Sequence, residues 1–307
     1  MMTTLYYSGE SFGLQFNPFY LQMIQQAYKD KGIEIDLVQD CEAYDFKGIP
    51  ADNIYNENYQ QLIKELQEYD PNIDLKSVKV DFSNYSCKDD IMGLPTALGC
   101  RYHCARCPIS NMGYVIRDLG VVKEELSDLC KKVKYFEFYD NNVLANPNFF
   151  DIIKDIPKGV TWGALINITE ITPELFNNLH KMYYFGCRNI YFGLETFNSK
   201  DLEYFKKPYY LAGVDPKKWM QTLQSIGFNL LAFIIRGLPN EKPGELDELM
   251  NYLEQHNIKY SINRFNTDGD FVSETDYLSS EYLASVLKSD YNKSRENFRN
   301  FIQSPLQ

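Results

Sequence analysis

Between about residues 93 and 264 the chain alternates six short apolar runs with amphipathic helical patterns, and this alternation limits its fold more than any other feature. A strand that joins the next one in parallel needs a crossover connection long enough for a helix. The predicted strands are residues 93–99, 133–139, 160–168, 189–193, 228–235 and 258–264. Helix starts between them are signed by a proline behind a capping-type residue in Asn146-Pro147, Thr172-Pro173 and Asp215-Pro216, with Lys242-Pro243 a less regular instance. Gly186 and Gly227 fall just after apolar-periodic stretches, where a left-handed residue closes a helix. Six such units exceed a minimal mononucleotide-binding fold and fall short of a closed eight-stranded barrel. The expected fold is therefore α/β, a six-stranded partial TIM-like barrel over residues 91–270.

The flanks read differently. Residues 1–90 form a small α/β region: a strand at Thr4–Tyr7, a helix opened by Asn17-Pro18 with Tyr20, Leu21, Ile24 and Tyr28 on one face, Gly32 as its stop, and a strand at 33–38. A helix over 57–69 and a strand near 78–82 follow, and the loop 8–13 reads as an ordinary turn, with anion binding at the next helix start as the alternative. Residues 271–307 form a helical C-terminal extension, with Tyr282, Leu283, Val286 and Leu287 facing the core.

Composition narrows the partners. With 42 acidic against 31 basic residues the net charge is −11, which opposes polyanions, so nucleic acid is not expected. The longest apolar stretch runs only over 230–235, far short of the roughly 20 residues a spanning helix needs. The N-terminus has neither the basic start nor the apolar core of a signal peptide, so the expected setting is cytoplasmic, without membrane contact.

The seven cysteines are Cys41, Cys87, Cys100, Cys104, Cys107, Cys130 and Cys187. In a cytoplasmic chain these are not a disulfide framework. Cys100, Cys104 and Cys107 make a C-x3-C-x2-C loop directly after Gly99 and the first barrel strand. Three thiolates on one loop suit three irons of a four-iron, four-sulfur cluster and leave the fourth iron open to another ligand. Zinc is the competing reading; it calls for a fourth Cys or His, and only His103, His180 and His256 are available. Cys130 and Cys187 read as buried small hydrophobes.

With these residues in place, the sequence resembles the radical S-adenosylmethionine (SAM) enzymes, over about residues 90–270. Phe136-Glu137-Phe138-Tyr139-Asp140-Asn141-Asn142 resembles the second-strand motif of the cobalamin-type branch. Tyr191-Phe192-Gly193-Leu194-Glu195-Thr196 is similar to its fourth-strand motif, and Ile235-Arg236-Gly237-Leu238-Pro239-Asn240-Glu241 to the end of its fifth. The resemblance implies a 4Fe-4S cluster on Cys100, Cys104 and Cys107, and SAM bound to the open iron through the amino and carboxylate groups of its methionine part. It implies further that Asp140 meets the SAM amino group, that Glu195 contacts ribose or the amino-acid part, and that Ile235 and Gly237 meet adenine. Asn141, Asn167, Arg236 and Arg264 stand at strand ends where a barrel gathers its site, Asn167 toward SAM and Arg236 and Arg264, with Asp140, toward catalysis. Asn141 and Asn142 also suit a simple turn, and Arg264 a surface ion pair.

The chain departs from the pattern at several places. Arg106 stands where an aromatic residue is usual, Phe233 replaces the first glycine of the fifth-strand motif, and Asn240 occupies its acidic position with Glu241 one place late. The segment 264–269 lacks the Pro-Gly-Thr often found in the cobalamin branch, and no cysteine group follows Cys187. The Asp-x-His-x-x-Gly cobalamin-ligand motif is absent, and about 90 residues is short for that branch's cobalamin domain. The reading favoured by the resemblance is reductive cleavage of SAM to a 5′-deoxyadenosyl radical that abstracts hydrogen from a small-molecule or short-peptide substrate. An electron donor such as flavodoxin or ferredoxin and an anaerobic setting go with it. Cobalamin is the cofactor not favoured, its alternative reading a cobalamin-dependent methyltransferase; a non-catalytic iron–sulfur electron carrier or sensor is the alternative from another class.

Overall fold

The structure, a computed structural model, describes residues 4–7, 10–11, 14–16, 19–30, 32, 36–39, 74–82, 90–105, 107, 113–265, 293, 296–297 and 300–301. It is an α/β fold with a mostly parallel six-stranded sheet. The chain gathers into two compact units, residues 1–100 with 112–160, and residues 101–111 with 161–307.

In the first unit, β1 (Thr4–Tyr7) and β4 (Asp36–Gln39) pair in parallel, and the helix Phe19–Lys29 lies between them in sequence. That is the βα-β unit the sequence predicts. Met23 and Ala27 are buried among the described residues of this helix; the side chains read as its apolar face lie outside the described residues. The strands β2 (Glu10–Ser11) and β3 (Leu14–Phe16) form an antiparallel pair, and β3 continues in parallel to β5 (Asp90–Ile91).

The strand expected over 93–99 is broken. Pro95 has no N–H to give a ladder, and the run splits into β6 (Gly93–Leu94), which pairs in parallel with β9 (Tyr135–Phe138), and β7 (Ala97–Gly99), which pairs antiparallel with β8 (Tyr114–Ile116). The helix Leu119–Lys132 is capped by Asp118, whose side chain accepts from the Gly120 and Val121 amides. Phe136, Phe138 and Phe149 meet edge to face at 5.1 and 5.3 Å in the core.

The strand expected near 78–82 does not form. Its burial alternates as a strand's would, with Val78, Val80 and Phe82 inside. Its backbone groups are spent on side chains of the helix region instead: the Val80 amide donates to Glu125, the Arg117 guanidinium to the Val78 carbonyl and Lys132 to the Phe82 carbonyl. Asn146-Pro147 does not start a helix either. A single 3-10 turn, Val143–Ala145, precedes it, and the helix Phe149–Ile153 begins behind Asn148.

In the second unit, β10 (Thr161–Leu165), β11 (Cys187–Glu195), β12 (Asn229–Arg236) and β13 (Lys259–Arg264) pair in parallel in chain order. Each expected strand is present within a few residues. The crossover helices Pro173–Tyr184 and Pro216–Ile226 start as the sequence predicts, with proline at the first turn and the Thr172 and Asp215 side chains accepting amide hydrogen bonds. Lys242-Pro243 fails as a start, because Glu245–Gln255 begins two residues later behind Gly244 at φ 88°. Phe192 on β11 meets Trp219 at 5.0 Å, which aims the even-numbered side chains of this strand at the helices. Tyr191 and Gly193 face the other way, as does Phe233, opposite Gly193 and stacked on Tyr191 at 6.2 Å. Residues 57–69, the loop 8–13 and most of the C-terminal extension, including Tyr282, Leu283, Val286 and Leu287, lie outside the described residues.

Candidate functional site

The root of the cysteine loop belongs to the first unit. Gly99 has φ 75°, and a Cβ there would sit 2.0 Å from the Gly113 carbonyl oxygen, so only glycine fits. Cys100 follows, its amide donating to that same carbonyl at 3.2 Å. Asn141 Nδ2 donates to the Gly99 carbonyl at 3.0 Å.

One layer deeper, Asp140 is 4% exposed and accepts from Thr96 twice, from the amide and from the hydroxyl, both at 2.7 Å. The Thr96 hydroxyl accepts in turn from Asn146 Nδ2 at 2.8 Å, and the Thr96 carbonyl accepts from the Arg117 amide at 3.1 Å. Burial pushes the Asp140 carboxyl up to about 6, against the pull of the bonds from Thr96 and Ala97 and of the Arg117 charge. Arg117 itself makes a two-pronged ion pair with Glu125 at 2.7 and 2.8 Å, both side chains fully buried, and donates to the Pro95 and Val78 carbonyls. Asn142 beside them is 8% exposed, and its Oδ1 has no partner among the described residues.

Cys104 and Cys107 belong to the second unit. Ala105 between them donates its amide to the Phe205 carbonyl at 2.9 Å, and the Cys107 amide donates to the Cys104 carbonyl at 3.3 Å. The Phe205 ring lies in an apolar cluster with Leu238 and Phe265, against which Ile235 packs. The loop is thereby hung on the same cluster that carries the fifth-strand motif. Tyr102, Cys104, Asn167, Gly193, Lys207 and Tyr209 line a cavity of about 40 Å³, room for a water or two as it stands.

Glu195 closes β11 at φ 65°, an unusual conformation for a residue with a Cβ, and the ladder to β12 shifts register at this point. Its carboxylate forms an ion pair with Lys207; the two side chains are 12% and 18% exposed. A Cβ on Gly193 would lie 2.6 Å from Glu195 Oε1, so the missing side chain makes room for the pair. The buried Tyr209 hydroxyl donates to the Leu194 carbonyl at 2.9 Å, and burial first, then the Glu195 charge, raises this phenol well above its ordinary value.

At the end of β12, Gly237 turns at φ 81°, and Glu241 Oε2 accepts from the Gly237 and Leu238 amides at 2.8 and 3.3 Å. Burial raises the Glu241 carboxyl above the usual carboxylate range, with those two bonds opposing it. Glu241 thus closes the turn from one place beyond the family's acidic position. Asn240, which occupies that position, instead donates its amide and Nδ2 to Asp201 Oδ1 at 3.0 and 2.9 Å. Arg236 is half-buried and pairs in register with Arg264, whose side chain lies outside the described residues.

The three loop cysteines are half-buried thiols and none is in a disulfide, whereas Cys130 and Cys187 are buried. Burial pushes the Cys130 thiol up to about 11. Free thiols at Cys104 and Cys107, like the one at Cys100, are soft donors of the kind that iron–sulfur clusters take. Among the described residues no group of three or more His, Cys, Asp or Glu side chains is drawn close enough to hold a metal ion. The structure brings Asn167 and Cys104 to one cavity and joins Glu195 to Lys207. Sequence reasoning passes over Lys207 and Thr96 and takes Asn146 only as a helix-capping residue; Lys207 directly precedes Pro208, the first residue of a short helix, and so had a readable position signal.

No family model matches the chain. An uncharacterized methyltransferase of Pyrococcus horikoshii is 26% identical over 178 residues, 54% of this chain and 37% of its own length, so the chain spans little more than a third of that protein. Among solved structures, the radical SAM methyltransferase TsrM from Kitasatospora setae, with cobalamin and a 4Fe-4S cluster bound, is similar with TM-score 0.61 and 12% identity, covering 86% of this chain and 74% of TsrM. The cobalamin-dependent radical SAM enzyme OxsB, with aqua-cobalamin and SAM bound, is similar with TM-score 0.53 and 13% identity, covering 95% of this chain and 56% of OxsB. The fold of this chain is the fold of those radical SAM enzymes.

Proposed function

We propose that this chain is a radical SAM enzyme that holds a 4Fe-4S cluster through Cys100, Cys104 and Cys107, cleaves SAM reductively and abstracts hydrogen from a small molecule or short peptide. The observation that carries the reading is the C-x3-C-x2-C set of reduced, half-buried thiols in a chain with this fold. A cluster held by these thiols would supply one electron to SAM, and reductive cleavage there would give methionine and a 5′-deoxyadenosyl radical. The electron comes from a donor of the flavodoxin or ferredoxin type, and the setting is cytoplasmic and anaerobic.

The protein's own residues bind, orient and exclude water. Lys207 presents an ammonium group suited to the carboxylate of the methionine part, and the Glu195 carboxylate suits ribose hydroxyls. Asn167 lines the cavity at Cys104 with a side chain that both donates and accepts. Ile235 and the Gly237 turn, braced by Glu241, offer an apolar edge and exposed backbone to adenine. Arg236 and Arg264, side by side at the strand ends, suit an anionic substrate group. The same reading assigns residues 91–270 to a partial barrel, 1–90 to an appended α/β region and 271–307 to a helical extension.

The test is anaerobic reconstitution with iron and sulfide, reduction with dithionite and addition of SAM, with 5′-deoxyadenosine read by mass spectrometry. The parent protein is expected to form it and Cys104→Ala to lose it. An intact cluster that yields none with several reductants would favour the electron-carrier reading.

A second reading, cobalamin-dependent methyl transfer, draws on a specific observation. The similarity to TsrM and OxsB covers 86% and 95% of the chain, more than residues 91–270 alone, and the N-terminal region contains a parallel βαβ unit. A chain lacking the usual histidine motif would hold the cofactor without that ligand. Formation of S-adenosylhomocysteine that depends on added cobalamin, with a cobalamin absorption band retained through gel filtration, would select this reading.

A further inference from the structure

The acidic residue at the end of β9 matches the position that the resemblance assigns to the SAM amino group, yet its surroundings suit another task. Asp140 is 4% exposed, and both its oxygens are engaged at 2.7 Å by one residue, Thr96. Thr96 is fully buried, and each of its polar atoms is used: amide and hydroxyl hydrogen toward Asp140, hydroxyl lone pair toward Asn146, carbonyl toward the Arg117 amide. The next residues are β7, then Cys100. Asn141 adds a second fastening at the Gly99 carbonyl, one residue before the thiol. Consecutive side chains at one strand end therefore grip both ends of the four-residue segment that delivers Cys100.

We propose that Asp140 is a positioning residue for Cys100: with Thr96, Asn146 and Asn141 it locks the segment 96–99 and so fixes where the first cysteine of the loop begins, rather than serving as a ligand of SAM. The inference rests on the assignment of Cys100 as a cluster ligand, but the lock itself is a property of the cluster-free chain. The Thr96 hydroxyl has one hydrogen and two lone pairs: the hydrogen goes to one Asp140 oxygen and a lone pair takes the Asn146 amide hydrogen, while the Thr96 N–H takes the other Asp140 oxygen. An amide in place of that carboxylate turns one donor toward donors and breaks the chain of bonds.

The experiment is hydrogen exchange on the iron-free protein, read at the Cys100 amide, which donates to the Gly113 carbonyl within the hairpin. Asp140→Asn, Thr96→Val and Asn141→Ala are each expected to speed exchange there roughly tenfold, with β11 and β12 unchanged, and Thr96→Ser is expected to restore the parent rate. Iron retained after reconstitution should fall in the same order. Parent-like exchange and iron content in Asp140→Asn and Thr96→Val, with weakened SAM binding in Asp140→Asn, would overturn the proposal and make Asp140 a ligand contact. Faster exchange spread equally over β11 and β12 in Thr96→Val and Asn141→Ala would overturn it too. Failure of the enzyme reading would show separately, as lost 5′-deoxyadenosine formation with this exchange pattern intact.

Discussion

Gly99→Ala isolates the geometry on which Cys100 depends. Two penalties act together. At φ 75° an alanine pays about 1–2 kcal/mol for the left-handed conformation. Its Cβ would also lie 2.0 Å from the Gly113 carbonyl oxygen and 3.0 Å from the carbonyl carbon, both backbone atoms that cannot rotate away. Relief requires the β7–β8 hairpin to open by more than about 1 Å, and the Cys100 amide bond to that carbonyl, already 3.2 Å long, is lost at a further net cost of about 0.5–1.5 kcal/mol. Gly113→Ala is the matched control: it has φ 73° with nothing within 4 Å of its Cβ among the described residues, so it is expected to pay the conformational penalty alone. Urea unfolding should therefore find Gly99→Ala about 1–2 kcal/mol less stable than Gly113→Ala. Reconstitution should leave Gly99→Ala with a small fraction of the parent's iron, while Gly113→Ala stays near it. Equal stability and equal iron in the two variants would refute the claim that close approach at Gly99, and not backbone conformation alone, sets the root of the loop.

Three further outcomes follow from the charged groups. Asp140 holds its proton more tightly folded, at about 6, than unfolded, near 3.8, so its contribution to stability is full below about 3.8 and is lost as pH rises through about 6, amounting to about 3 kcal/mol. Urea midpoints between pH 4.5 and 7 should show a falling component in the parent that is missing in Asp140→Asn; parallel curves would contradict this. Lys207→Met strands the largely buried Glu195 carboxylate, so it is expected to cost roughly 1–3 kcal/mol and to weaken SAM binding about tenfold or more by calorimetry, with Glu195→Gln in the same background recovering stability but not binding. Arg117→Met leaves the fully buried Glu125 carboxylate with the Val80 amide and is expected to cost about 3–5 kcal/mol, while Arg117→Met with Glu125→Leu costs less than the two single changes together; strict additivity would show that the pair does not act as a unit.

The second half of the fold was legible because its signals are local. The strands β10 to β12 are largely apolar runs, and Thr172-Pro173, Asp215-Pro216 and Gly227 mark the helices with residues whose chemistry acts within one turn. The first half was less legible because its outcome depends on partners far away in sequence. Residues 78–82 alternate in burial like a strand, and what denies them a ladder is a guanidinium, a carboxylate and an ammonium about 40 to 50 residues on. The run 93–99 read as one strand; Pro95, which cannot donate to a ladder, divides it, and the part beyond turns to pair with Tyr114–Ile116, a partner that nothing local signals.

The same distinction runs through the site. Cysteine spacing reports chemistry directly, since three thiols on one short loop have few other uses, and so the loop stood out at once. Which acid does what is a matter of orientation, and orientation is set by long-range packing. Asp140 and Glu195 both end strands and both carry a carboxylate, and their motifs treat them alike. One turns inward to a fully buried threonine 44 residues earlier, the other outward to a lysine that shares a cavity with Cys104. A buried carboxylate whose oxygens are both bonded has little left to offer a ligand, whereas the Glu195–Lys207 pair, though largely buried, lies beside a cavity where a ligand's own charged groups could take up either partner. On that physical ground ligand-binding polarity in this chain is to be sought around Glu195 and Lys207, and the role proposed for Asp140 lies in the framework before the first loop cysteine.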